Sequence, residues 1–502
     1  MTKAEILSSL LEKGILITPE FLETISEEMD YESVIKKVNT KVQIEKQKNE
    51  FISKPIKDIN LIIPNQSELN LKEEAKVKVL FSYLDNPKKK DVSSFFNYFR
   101  KRYEVLREIL ANRQSLQESI SISRITRKVQ GEAVSIIGMV LNKSETKNGN
   151  IILKLEDQTG VINVLVSKTK EEIFNNAKDI LLDEVIGVTG VMGENIIFVN
   201  SLIFPEIPIN HELKKAPNEA YVVFISDIHF GIKNFISSDF NKMINWLNGE
   251  YGTEQQREIA KKVKYLFVTG DVVEGVGIYP GQEQDLEIKD IYEQYEEATN
   301  YFKKIPKNIK IIICGGNHDA IRLSEPQPTF DKEISKGFYE IPNMIQVSNP
   351  AIINIHSSEG FPGFNVLMYH GGSFFYIAEN VPSIRSKGGI ARVDMIMKYI
   401  LQKRHLTISH DSTLYVPDPE KDPLVIEIIP DIFVSGHIHQ VTVSNYRNVT
   451  LINSSCWVTQ SENQAKRGII PHPGKIPIIN LKTREVKIMD FLTDEEGVLL
   501  KK

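Results

Sequence analysis

The sequence predicts a multidomain α+β chain: a small helical N-terminal domain, then a β-barrel, then an α/β layered C-terminal domain. Three observations carry this. At 502 residues the chain is too long for a single hydrophobic core. Short strand-like segments with turn signals crowd residues 130–203. Beyond Ala220, apolar runs of strand length alternate with helical stretches, as in sheets covered on both faces.

Composition narrows the class. Hydrophobic content of 41% with 25% charged residues fits a soluble globular protein. No apolar stretch approaches the roughly 18 residues of a membrane span. The opening MTKAEILSSLLEKG lacks the apolar core of a signal peptide. Cys314 and Cys456 are the only cysteines and no Cys-x-x-Cys pair exists, which argues against a zinc ribbon and for a reducing setting inside the cell. The net charge of −5 excludes DNA binding by bulk positive charge, so any nucleic-acid contact is local or shared with a partner.

The elements follow in order. Residues 3–13 read as a helix with Ile6, Leu7, Leu10 and Leu11 on one face and Gly14 as its stop. A second helix starts at Thr18-Pro19-Glu20, with Thr as N-cap. This helical domain is assigned to 1–70. From about Val34 to Asp91, weak periodicity and frequent Lys and Glu predict mostly linker. Within the 71–115 segment, a helix carries Phe95, Phe96, Phe99, Tyr103, Leu106 and Leu110 at helical spacing, with Arg100, Lys101, Arg102 and Arg107 among them. Those cations form either a DNA-facing surface or a solvated face beside a core stripe; the second reading is preferred.

In the 116–210 segment, EAVSIIGMVLN, IILKLED and VINVLVS are three strands, the first two joined by an Asn148-Gly149 hairpin turn. A helix near Lys170–Ala177 precedes EVIGVTGVM and NIIFVNSLIF. Three strands, a helix and two strands match an OB-type barrel. Phe174 and Phe198 are its only aromatics between Gln130 and Asn200, too few for base stacking, so a packing role is favoured over strand binding.

The chemistry lies in the 215–502 segment. Each of five apolar runs is followed at once by polar residues: Asp227-Ile228-His229, Gly270-Asp271, Gly316-Asn317-His318-Asp319, His370-Gly371-Gly372 and Gly436-His437-Ile438-His439. Five of the ten histidines sit in these loops. Ligands gather at the carboxyl ends of such strands. Singly, His229 or His370 would be a structural histidine, Asp271 a helix N-cap and Gly-Asn-His a turn. Together, in one order at strand ends, they point to metal. Oxygen and imidazole donors without thiolate suit Mn, Fe, Zn or Ni. In Asp-x-His and His-x-His, an extended backbone would aim both donors to one side. Two cations about 3.5–4 Å apart would clamp a phosphodiester and generate its nucleophile.

The motifs resemble those of the calcineurin-like metallophosphoesterase superfamily. By that resemblance the C-terminal domain is a two-sheet α/β phosphoesterase. Asp227, His229, Asp271 and His439 would hold one metal, and Asp271, Asn317, His370 and His437 a second, with Asp271 bridging. His318 would act on the leaving oxygen without binding metal, its ring oriented by Asp319. The domain order and the segments YPGQEQDLEIKDIYEQY (279–295), GGNHDAIRLSEPQP (315–328), GGIARVDMIMKYILQKRHL (388–406) and QAKRGIIPHPGKIPIINL (464–481) further resemble the small subunits of archaeal family D DNA polymerases, relatives of the eukaryotic B subunits. That resemblance implies a 3′–5′ exonuclease on single-stranded or mispaired DNA ends, two divalent cations (Mn²⁺, with Mg²⁺, Fe²⁺, Ni²⁺ or Zn²⁺ as substitutes), and a complex with a large catalytic subunit. It also implies a cytoplasmic, nucleoid-associated place in an archaeal cell. The alternatives are a catalytically silent assembly subunit and a free phosphoesterase. Phe230, Arg322 and Arg385 could face substrate or be structural; His405 and His410 are read as structural, and Cys456 and Trp457 as packing near the last loop.

Overall fold

A computed structural model describes residues 76–84, 89–125, 128–460 and 470–492. The chain divides into two units, Met1–Lys72 and Glu73–Lys502, and the described residues belong to the second. The helical domain expected over 1–70 and most of the linker lie outside them, as do residues 464–469 of the last matching segment.

The barrel is built from β2 (Ala133–Glu145), β3 (Ile151–Asp157), β4 (Gly160–Val166), β5 (Val185–Met192) and β6 (Ile196–Ile203), closed in the order β2-β3-β4-β6-β5. The helix Glu171–Lys178 lies between β4 and β5 in sequence. Alternating residues such as Leu153, Leu155, Val164 and Val188 fill its interior, the period-two pattern of a sheet closed on itself.

The phosphoesterase-like region consists of two six-stranded sheets. One runs β10-β9-β8-β7-β16-β17, from β7 (Tyr221–Ile225), β8 (Val263–Thr269), β9 (Lys310–Cys314), β10 (Met344–Gln346), β16 (Lys475–Asn480) and β17 (Val486–Asp490). The other runs β1-β11-β12-β13-β15-β14, from β1 (Val77–Ser82), β11 (Ala351–Ile355), β12 (Phe364–Met368), β13 (Ile432–Ser435), β14 (Thr442–Tyr446) and β15 (Val449–Asn453). Val222, Phe224, Phe267 and Ile312 belong to one buried cluster with Ile353, Val366, Val434 and Ile452 of the other sheet. The opposite face of the first sheet packs on Phe240, Trp246, Tyr295 and Phe302 of helices Ser237–Leu247 and Ile291–Phe302. That of the second packs on Ile377, Ile396 and Ile400. Burial on both faces explains the unbroken apolar runs.

Two expectations change. Residues 77–82 are not linker: β1 pairs antiparallel with β11, Val77 opposite Ile355. The flanking lysines masked a strand whose partner lies far along the chain. The helix Val92–Ala111 also differs from its predicted stripe. Phe96 is 68% exposed, whereas Arg102, expected among the surface cations, is 1% exposed. Its Nε donates to Asp422 at 2.7 Å and its Nη1 to the Ile408 carbonyl at 2.7 Å; His405 Nε2 contacts the same carboxylate at 2.8 Å. Arg100 and Lys101 instead pair with Glu104 along the helix. On its other flank the helix meets the barrel, where the Tyr103 hydroxyl donates to the Ile137 carbonyl at 3.1 Å.

A second buried pair ties the barrel down. Lys403 Nζ lies 2.8 Å from Glu184, and the single Tyr399 hydroxyl proton is within reach of both the Glu184 carboxylate and the Asp179 carbonyl. Barrel-side Leu181 joins the cluster of Ile396 and Ile400. These contacts seat the barrel against the phosphoesterase-like region. Among the described residues no helix is long and apolar enough to cross a membrane.

Removing Arg102 would strand a buried carboxylate, at a cost of about 3–5 kcal/mol. Arg102→Ala should therefore lower the denaturation midpoint sharply, whereas Arg100→Ala should leave it nearly unchanged. Burial raises the Asp422 carboxyl, but His405 and Arg102 together hold it well below the usual range. A depressed carboxylate contributes stability above its unfolded pKa of about 3.9, and that contribution is lost as pH falls through the folded value. Denaturant titrations below about pH 4 should show this loss in the native chain and not in Asp422→Asn.

Candidate metal centre

Five loops leave the carboxyl ends of parallel strands β7, β8, β9, β12 and β13 and meet where the two sheets end together. Three come from one sheet and two from the other, so the sandwich itself sets their spacing. The chain turns sharply in these loops. Asp227, His229, Asp271, His437 and His439 all adopt left-handed backbone, with φ of 50°, 56°, 50°, 70° and 59°. This corrects the extended geometry expected for Asp-x-His and His-x-His: the donors converge because each backbone bends, at a cost of order 1–3 kcal/mol per residue.

The donors gather in groups whose ligand atoms lie within 4.8 Å of one another: Asp227, His229 and His439; His229, Asp271 and His318; and Asp271, His370 and His437. His229 Nε2 is 3.2 Å from His439 Nε2, which is 3.3 Å from Asp227 Oδ1. His370 Nε2 is 3.2 Å from Asp271 Oδ2 and 3.1 Å from Asn317 Oδ1. Asp271 Oδ1 accepts the His318 backbone N–H at 2.8 Å.

Ring tautomers follow from the outer contacts. His370 Nδ1 donates to the Thr269 carbonyl at 2.9 Å, and His229 Nδ1 donates to the Glu274 carboxylate at 2.8 Å. Each Nε2 thus presents a lone pair inward, among carboxylate and amide oxygens. Buried acceptors facing acceptors require a cation between them, and this donor set fits a divalent ion. A proton can serve in the same place. Burial lowers the His370 ring, yet the Asp271 and Asp227 carboxylates raise it to about 10. His437 is pushed down to about 3 by burial and by the neighbouring His370.

The roles around His318 differ from expectation. Its ring Nδ1 lies 3.0 Å from the Glu274 carbonyl and 3.4 Å from the Glu274 carboxylate. Asp319 turns away and accepts backbone N–H groups from Val272, Val273 and Gly316, holding the β8 and β9 loops together. Burial and the nearby Asp271 raise its carboxyl to about 7. Asp319 therefore shapes the loops, and Glu274 orients both His229 and His318. Glu274 lies three residues after Asp271 in the same loop and outside the Gly-Asp motif, so its one sequence signal is a carboxylate close behind Gly-Asp.

The remaining residues fall into place. Phe230 is buried among Phe235, Phe240 and Tyr301. Arg322 donates to the Ser324 and Pro326 carbonyls, and Arg385 to the Glu379 carbonyl. His405 supports Asp422, and His410 contacts the Tyr415 hydroxyl. Cys456 packs against the His439 carbonyl, and the Trp457 backbone N–H donates to the Asp227 carbonyl.

The calcineurin-like phosphoesterase family profile matches residues 220–441, and that of the OB-fold nucleic acid binding domain matches 134–202. The C-terminal half is thus a phosphoesterase-family domain, and such a domain implies divalent metal. A DNA polymerase II small subunit of Methanothermobacter thermautotrophicus is 37% identical over 401 residues, 80% of each chain. One from Archaeoglobus fulgidus is 38% identical over 77% of this chain and 75% of its own, and one from Thermoplasma acidophilum 34% identical over 96% and 91%. The chain belongs to the family of archaeal DNA polymerase II small subunits.

Glu274 generates a test. Glu274→Gln should weaken Mn²⁺ binding by about 10–100-fold in calorimetric titration, the usual effect of losing a group that orients ligands. Unchanged affinity would mean that His229 is held by other contacts.

Proposed function

We propose that this chain is a two-metal 3′–5′ exonuclease acting on single-stranded or mispaired DNA ends, and that it also serves as scaffold for a large polymerase subunit. The observation that carries the nuclease reading is the double convergence on Asp271, with His229 on one side and His370 on the other. In this reading Asp227, His229, Asp271 and His439 hold one cation, and Asp271, Asn317, His370 and His437 the other. Bound divalent cations, Mn²⁺ first, would neutralise the phosphodiester and ready an attacking water.

The chain's own part is positional. His318 is partly open, with its side chain 19% exposed against 4% for His229 and 2% for His370. It stands where an incoming phosphate ester would arrive, able to protonate or stabilise the leaving oxygen. Glu274 fixes its ring from behind. The scaffold reading rests on the relatives' shared name, on an acidic balance of −5 that leaves DNA attraction to a partner, and on the tightly seated barrel.

The purified chain, alone and with its copurifying partner, should shorten a 5′-labelled single-stranded oligonucleotide stepwise from the 3′ end with Mn²⁺. His318→Ala should slow this by about 10²–10⁴-fold, and a chelator should abolish it. Digestion from the 5′ end would overturn the polarity. Intact substrate in both preparations would favour a silent scaffold.

A further inference from the structure

Beside the His370 group lies a small cavity of about 160 Å³. Asn317, His370 and His437 form one wall. Leu323 and Leu414 stand at the rim, 55% and 64% exposed. The floor is buried and polar. Glu325 is 3% exposed, and its Oε2 accepts the Tyr369 hydroxyl at 3.0 Å. Its Oε1 has no hydrogen-bond partner among the described residues. A Cβ placed on Gly372 would come within 2.5 Å of that Oε1 and 3.5 Å of Thr413 Oγ1, so the two oxygens flank one glycine. Leu323, Ser324 and Glu325 belong to the Gly-Asn-His-Asp segment, yet none of them has a part in the metal centre.

Each feature limits the occupant. At about 30 Å³ per water, the cavity holds roughly five waters. That space admits one pentose ring. The apolar rim suits the faces of a sugar or base. The Glu325 carboxyl, raised to about 8 by burial, offers a neutral oxygen beside Thr413 Oγ1 as a hydrogen-bonding pair for a hydroxyl. A floor beneath the cavity suits a chain end better than a strand passing through.

We infer that this cavity receives the sugar of the terminal nucleotide, its free hydroxyl donating to Glu325 Oε1 beside Thr413, while the adjoining phosphodiester lies at the metal groups. The inference rests on the nuclease reading above and adds the means by which a strand end is recognised. The arrangement measures off one nucleoside from the metal centre, so hydrolysis releases mononucleotides.

Two readouts separate this inference from the activity it rests on. The first is equilibrium binding of a fluorescent oligothymidylate with Mn²⁺ in the His318→Ala background, comparing a 3′-hydroxyl end with a 3′-deoxy end. The hydroxyl end should bind up to about tenfold tighter, the worth of one hydrogen bond. Glu325→Gln should reduce that preference. Thr413→Val, less buried and close in size, tests the same contact should the first variant misfold. Leu414→Ala should weaken both ends equally. The second readout is hydrolysis of bis(p-nitrophenyl) phosphate, which has no sugar. Thr413→Val should raise KM for the oligonucleotide by more than it changes KM for this ester, which has no hydroxyl to donate. Equal binding of the two ends, or equal loss on both substrates, would overturn the inference. End discrimination without any hydrolysis would uphold the cavity and defeat the nuclease reading alone.

Discussion

The carboxylate of Asp271 is the point on which the centre turns. It sits fully enclosed, with one oxygen accepting the His318 backbone and the other facing His370 at 3.2 Å and His229 at 3.9 Å. A lone buried carboxylate would be expelled or protonated. Here burial raises it, but the imidazoles of His370, His318 and His229 more than reverse that and hold it well below the ordinary range. The loops after β7, β9 and β12 must all reach one small anionic point, which leaves little freedom in how the sheets are arranged.

That demand explains the local backbone. Five polar residues hold left-handed conformations that ordinary side chains avoid, and Gly270 and Gly436 directly precede two of them, Asp271 and His437. At Gly316 a Cβ would come within 2.3 Å of Asp271 Oδ1, so no larger residue could bring Asn317 and His318 in so close. Strain of this kind persists only where the surroundings over-determine it. The core between the sheets and the helices on their outer faces provide that rigidity, and the Asp319 carboxylate pins two of the loops to each other.

The fold class and the donor set were legible in the sequence because both are local signals. Apolar strands ending in Asp, His and Asn betray themselves without knowledge of their partners, and all the histidines named from motifs do converge. What escaped was whatever depends on long-range partners. Arg102 looks like its neighbours Arg100 and Lys101 until Asp422 is placed beside it. The strand VKVLFS looks like charged linker until β11 arrives. Asp319 and Glu274 exchange roles because both carboxylates sit within reach of His318 in sequence terms, and only the turn after β8 decides which one faces its ring.

The placement of β1 makes the phosphoesterase sheet discontinuous in the chain. Its edge strand comes before the barrel, and the rest of its sheet comes after it. On the ribosome β1 therefore emerges first and waits, unpaired, until β11 is made. Closing so long a loop is slow but adds little to its free-energy cost, since that cost grows only logarithmically with length. The same topology makes the barrel an insertion rather than an appended module. A fragment beginning after it would keep the whole metal centre yet leave the edge of β11 bare, open to pairing with another molecule. The natural boundary of the phosphoesterase-family domain is thus set by its first strand, far upstream of the loop that carries Asp227 and His229.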